Sequence, residues 1–241
     1  MQHVILITGA GKGIGRSIAL AFSRRSKADI SFKPHLILCS RTEEDLDSLS
    51  ATCGEFAVST TTIKVDISNL KELDGLVNYA MEKFGRVDCL VNNAGVGQFK
   101  PLEEMTEQDF DTTISINLKG TFFLTQKVFE LMKKQGSGHI FFITSVASEE
   151  PFEQSSIYCM SKYGQKGLVE VMRLYGRKHN VRITNVLPGA VYTPMWGNVE
   201  PEMQEKMMQP EDIAGPVVDA YLMPNRTCVE ELVFRPVCGD L

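Results

Sequence analysis

At 241 residues, with 43% apolar and 23% charged residues and a net charge of −5, the chain has the make-up of a soluble globular protein large enough to bury a core without staples. No basic run offers the concentrated positive face that nucleic acid requires, and no apolar run is long enough to span a bilayer, so nucleic-acid and membrane partners are excluded. A strand-like run begins at His3, where a secretory leader would carry its charged and apolar regions, which points to the cytoplasm.

In chain order, "HVILITG" (3–9) is an apolar β-branched run that leads into four glycines and then a helical pattern. The next segment, "SRRSKADISFKP" (23–34), is longer than an ordinary connection and reads as a helix extension plus loop or as a surface insertion. Strands follow at 35–41 and 61–67. The stretch 69–85 places Leu70, Leu73, Val77, Met81 and Phe84 at steps of three and four, the stripe of a helix lying on a sheet. Asn69 or Ser68 suits its start and Gly85 its end. A strand at 87–95 comes next, then a helical run begun by Asn117, a strand at 139–145, a helix over 155–175 and a strand at 181–189, with 231–236 as a seventh. The strands are nearly continuous in apolar residues, the pattern of a parallel sheet buried on both faces. Strand–helix alternation without linker or repeat predicts one domain over 1–241, an α/β doubly wound parallel sheet with helices on both faces.

Six cysteines, Cys39, Cys53, Cys89, Cys159, Cys228 and Cys238, form no CxxC pair and lie near no histidine at zinc-ligand spacing. Reduced thiols and no metal site are expected.

The glycines are Gly9, Gly11, Gly13 and Gly15. They miss the G-x-G-x-x-G fingerprint and fit T-G-x-x-x-G-x-G, from Thr8 to Gly15. A tight turn alone would use glycine. Between a strand and a helix, however, such a turn also lets a pyrophosphate lie against bare backbone at the helix N-terminus. After the second strand, where an NAD site would place an acid for the ribose hydroxyls, stand Ser40 and Arg41, and Lys12 sits inside the turn. Two cations and a hydroxyl suit a 2′-phosphate, hence NADP(H); solvated surface charges are the other reading.

Tyr158 and Lys162, four residues apart on the 155–175 helix, share a face. A nearby ammonium is expected to lower the tyrosine pKa toward neutrality, as a proton-transferring group requires. Ser145 closes the 139–145 strand at the edge where a parallel sheet opens its ligand crevice, and "NNAG" (92–95) closes the fourth strand at the same edge.

The glycine turn, Asp66 after the third strand, N-N-A-G, the set Asn117–Ser145–Tyr158–Lys162 and "PGAVYTPM" after the sixth strand together resemble the short-chain dehydrogenases/reductases, from Thr8 to Thr193. The resemblance implies a Rossmann-like sheet. It implies Tyr158 as proton donor, Ser145 as the hydrogen-bond partner of a substrate carbonyl, Lys162 on the nicotinamide ribose, and Asn117 positioning a water that links Lys162 to solvent. The cofactor would lie along Gly9, Gly11, Lys12, Gly13, Ile14, Gly15, Ser40 and Arg41. Asp66 and Ile67 would border its adenine, Asn93, Ala94 and Gly95 would line it, and Pro188, Gly189, Val191, Thr193 and Met195 would flank the nicotinamide. Family members associate as homodimers or homotetramers through the tyrosine-bearing helix. Here Gly164, Gly167, Leu168, Val171, Met172 and Leu174 put small or apolar residues on more than one side of 156–177.

Within the family, the 23–34 segment, "YTPMWGNVEPEMQEKMM" (192–208) and the tail "VCGDL" resemble the pterin-reducing members. Trp196 would stack on a flat pterin and Asp240 would accept from its ring NH and amino group; plain packing and plain solvation account for them as well. Phe99 and Phe152 are weaker pocket candidates that core packing also explains. A pterin ketone is therefore the expected small-molecule substrate. A 3-oxoacyl thioester or a general carbonyl compound is the enzymatic alternative, and a silent NADP-binding sensor the non-enzymatic one.

Overall fold

The computed structural model describes residues 2–241. Its strands are β1 (His3–Thr8), β2 (Pro34–Ser40), β3 (Ser59–Lys64), β4 (Cys89–Asn92), β5 (Gly138–Ile143), β6 (Val181–Pro188) and β7 (Glu231–Phe234). They form a seven-stranded sheet in the order β3-β2-β1-β4-β5-β6-β7, and every pairing is parallel. The helices are α1 (Gly13–Ala28), α2 (Glu43–Gly54), α3 (Leu70–Phe84), α4 (Glu107–Ile114), α5 (Thr121–Gln135), α6 (Ser156–Lys178), α7 (Pro201–Lys206) and α8 (Pro210–Leu222).

The apolar runs are continuous because both faces of the sheet are covered. Ile5, Ile7, Leu36, Leu38 and Phe141 join one core with residues of α1, α2 and α8. Their neighbours Val4, Leu6, Ile37, Ile140 and Phe142 join a second core with residues of α3, α5 and α6. Each such side chain, once buried, contributes on the order of 1.5–3 kcal/mol. The strand order reverses between β1 and β4, and the carboxyl ends of these two strands open a crevice there.

Several expected boundaries move for identifiable reasons. The first half of the 23–34 segment is helix: α1 runs to Ala28, and only 29–33 connects it to β2. The third strand sits earlier than expected. Its residues "STTTIK" are half-exposed at the sheet edge, so they carry little apolar signal. The fourth strand stops at Asn92, because the N–H groups of Asn93 and Ala94 turn to the Thr8 hydroxyl, each at 3.0 Å. Asn117 does not begin a helix. It lies in a π-helical stretch, Ser115–Gly120, that joins α4 to α5. Asn69 accepts from the Lys71 N–H at the start of α3, and Gly85 closes that helix at φ 67°.

Three histidines, His3, His35 and His139, have pKa values lowered chiefly by burial. His139 is fully buried and stacks on Phe141, ring centroids 3.9 Å apart. The Thr184 hydroxyl donates to the Val229 carbonyl, so it accepts from His139 Nε2, 2.7 Å away, and His139 Nδ1 has no partner. A second proton there would place an unpaired charge in the core. The folded-state pKa lies below the unfolded value, so stability is full above pH 6.5 and is lost as pH falls below it. Thermal melting at pH 7.5 and pH 5 should show a lower Tm in acid, with His139 alone accounting for up to about 2 kcal/mol.

Candidate active site

The crevice is built around the glycine turn. Gly9 (φ 62°) and Gly13 (φ 55°) take the left-handed conformation that swings the chain from β1 into α1. No side chain caps the first turn of α1 and no acidic residue lies in it, so its N–H groups and dipole are available to an anion. The turn is tied to the end of β4: the Asn93 amide donates to the carbonyls of Thr8 (2.9 Å) and Gly9 (3.1 Å). Asp66 accepts from the N–H and hydroxyl of Ser68, which fixes the loop after β3.

A cleft of about 720 Å³ runs along the carboxyl edge of the sheet. All of the residues expected at the site from sequence line it, except Gly15 and Asn117. Gly15 lies behind the turn, packed on Gly9. Asn117 is wholly buried under Gly95–Val96. Its side chain is spent on the backbone of Val96, which it both accepts from and donates to at 2.9 Å, and on the Ser161 hydroxyl at 2.9 Å. Its carbonyl accepts from the Gln165 amide at 2.7 Å.

Tyr158 and Lys162 project from the first turns of α6, one turn apart, with Lys162 Nζ 5.5 Å from the Tyr158 ring centroid. Ser145 lies two residues past the end of β5, at the start of a 3-10 turn. Its hydroxyl accepts from Ala147 N–H at 3.0 Å and donates to the Pro188 carbonyl at a long 3.3 Å. The expected lowering of the tyrosine pKa is overturned. Burial pushes the Tyr158 phenol up to about 12, with a hydrogen bond from Ser145 opposing it. Burial likewise brings the Lys162 ammonium down to about 7. Burial is the largest influence on both groups, and it favours the protonated phenol.

At the mouth, Phe99 and Trp196 stand nearly parallel, 10° between planes and 5.9 Å between centroids, and the Phe99 ring lies 5.3 Å from that of Tyr158. Phe152 and Asp240 also line the cleft. Asp240 pairs with Arg235, which reaches Glu150 at 2.7 Å on its other side. Of the methionines in 192–208, Met195 lines the cleft, whereas Met207 is buried and Met208 packs against the core. Sequence reading passed over two residues here. Asp45 pairs with Lys12 at 3.2 Å beside Ser40 and Arg41; it reads as an ordinary acid at a helix start. Gln165, three residues after Lys162, is a polar residue on a buried face, and that placement was its signal.

Comparison with known proteins agrees with this geometry. Residues 3–204 match the family model described as short chain dehydrogenase. A Chlorobaculum tepidum protein named sepiapterin reductase is 60% identical over 241 residues, covering 100% of this chain and 99% of the relative. A solved alcohol dehydrogenase from the archaeon Thermococcus sibiricus, complexed with 5-hydroxy-NADP, is 29% identical and superposes with a TM-score of 0.89 over 100% of this chain and 99% of that one. A metagenomic short-chain oxidoreductase in complex with NADP is 28% identical and superposes with a TM-score of 0.83 over 98% of this chain and 97% of that one. The chain belongs to the short-chain dehydrogenase family.

Proposed function

We propose that the protein is an NADPH-dependent carbonyl reductase that reduces side-chain ketones of a pterin, the activity for which its Chlorobaculum tepidum relative is named. The observation that carries the substrate class is the parallel Phe99–Trp196 pair beside Tyr158. The two nearly parallel rings offer a flat heteroaromatic a stacking face beside Tyr158. Asp240, steadied by Arg235, then accepts hydrogen bonds from the ring edge.

The residues fit a dinucleotide. The uncapped start of α1 and the glycine turn cradle the pyrophosphate. Lys12, Ser40 and Arg41 surround the place for a 2′-phosphate, and two solved family structures hold NADP or its 5-hydroxy derivative. Asp45 offsets Lys12 only weakly, since both are partly exposed, which leaves Arg41 as the main selectivity determinant. Arg41→Asp should weaken NADPH binding relative to NADH by about 10- to 100-fold, the loss of a charge-assisted hydrogen bond; nucleotide fluorescence titration measures it, and an unchanged ratio overturns the NADP preference.

Bound NADPH supplies the hydride. The chain supplies the rest: Ser145 donates a hydrogen bond to the substrate carbonyl oxygen, Tyr158 Oη gives it a proton, and Lys162 holds the ribose and stabilises the phenolate left behind. A phenol held protonated suits the reducing direction.

NADPH oxidation with sepiapterin against a 3-oxoacyl thioester tests the substrate class; faster turnover of the thioester overturns it. Asp240→Asn should raise the KM for sepiapterin about tenfold with little change in kcat, the signature of lost uniform binding; an unchanged KM removes Asp240 from the site. The half-exposed Phe122, Val171, Leu174 and Tyr175 on α5 and α6 support assembly as a homodimer or homotetramer through these helices, measurable by light scattering. A single domain and a cytoplasmic setting, in keeping with six free cysteines, complete the reading.

A further inference from the structure

Lys162 is asked to serve both the ribose and the phenol, which requires its ammonium to be held in one place. The ammonium has three donors. One goes to the Ile143 carbonyl at the end of β5, 3.1 Å away, and one to Gln165 Oε1, also at 3.1 Å. The third is left for the cleft. Gln165 is only 2% exposed, and its amide is used at both ends, since Nε2 donates to the Asn117 carbonyl at 2.7 Å.

That carbonyl lies in the π-helical stretch between α4 and α5. In an α-helix the Thr121 N–H would point to Asn117; here it donates to Leu118. The α-helical bond from Thr121 to the Asn117 carbonyl is thus not made, and that carbonyl accepts from Gln165 of α6. Gly95 closes the other side. A Cβ there would lie 3.3 Å from Asn117 Oδ1 and 3.8 Å from Lys162 Nζ, so a side chain would press on this cluster.

We propose that Gln165 is a positioning residue: its carboxamide spans Lys162 and the Asn117 carbonyl and so aims the remaining ammonium proton into the cleft. The proposal rests on the reading of Tyr158 and Lys162 given above. It makes a side chain of this protein a direct link between the lysine and the π turn.

Two substitutions separate this role from packing. Gln165→Met keeps length and bulk but removes the bonds to Lys162 and Asn117, along with a long 3.4 Å one to the Thr121 hydroxyl. Gln165→Ala removes them too, yet leaves room for a water between two polar partners that can restore the bridge. In the full-length protein, with NADPH and a 1,2-diketone that needs no pterin recognition, Gln165→Met should lower kcat about 10-fold or more, whereas Gln165→Ala should stay within about threefold of the unsubstituted enzyme. A packing role gives the opposite order, because Ala leaves the larger void. Wild-type kcat in Gln165→Met, or a lower kcat in Gln165→Ala than in Gln165→Met, overturns the proposal. Should Gln165→Met fail to fold, Gln165→Glu keeps the acceptor for Lys162 and forfeits the donor to Asn117, and an unchanged kcat there overturns it equally. Tyr158→Phe is measured alongside. If it retains turnover, the catalytic reading itself fails; if it is dead while Gln165→Met turns over at the wild-type rate, only the positioning role falls.

Discussion

Tyr158→Phe is expected to lower carbonyl reduction by about a thousandfold while NADPH binding stays within about twofold. The substitution removes one oxygen and leaves the ring, with its contact to Phe99 and its place beneath Lys162, unchanged. The loss in folding stability should be small, about 0.5–1.5 kcal/mol for the hydrogen bond with Ser145, because Ser145 retains Ala147 and Pro188 as partners. A stable protein that binds NADPH and does not reduce is thus the expected phenotype. Single-turnover NADPH oxidation and nucleotide fluorescence measure the two halves separately. Retained reduction would remove Tyr158 as proton donor. Lost nucleotide binding would instead place the phenol in the cofactor site alone.

The direction of the Tyr158 pKa shows how far sequence carries such an argument. Its spacing from Lys162 is a fact of the chain, and α6 converts it into a shared face. The degree of burial is not a fact of the chain. It arises from what packs around the ring, Phe99 among it, and it sets the direction in which both the phenol and the ammonium shift. Asn117 gives the same lesson for local structure. The capping box of Thr106 and Asp109 marks a helix beginning at Glu107, but the π-helical insertion breaks the 3.6-residue period before α5, so in sequence the run starts near Asn117. Strands β1, β2, β5 and β6 were legible because burial on both faces makes them largely apolar. The edge strand β3, rich in threonine, was blurred for the converse reason. The pairing of Arg235 with both Glu150 and Asp240 joins residues distant in the chain, and no local pattern announces it.

Gly15→Ala should destabilise the protein by about 1–3 kcal/mol and weaken NADPH binding about tenfold or more through the turn it distorts. The four glycines of the turn are glycine for different reasons. Gly9 and Gly13 need a positive φ; Gly15 does not, and its constraint is space. A Cβ at Gly15 would meet the Gly9 carbonyl oxygen at 2.5 Å, its carbonyl carbon at 3.0 Å, and the Asn93 amide nitrogen closer still. The Gly9 carbonyl is also an acceptor for that amide, so the methyl would push apart the bond that ties the turn to β4. Backbone on one side and a hydrogen-bonded amide on the other leave little room to yield. The same substitution at Gly75, inside α3, meets nothing within 4 Å and should instead stabilise by about 0.5–1 kcal/mol, the helix-propensity difference between the two residues. Chemical denaturation of both variants, with NADPH titration of each, tests the contrast. Equal effects at the two sites would mean that the close approach of α1 to the turn does not constrain Gly15.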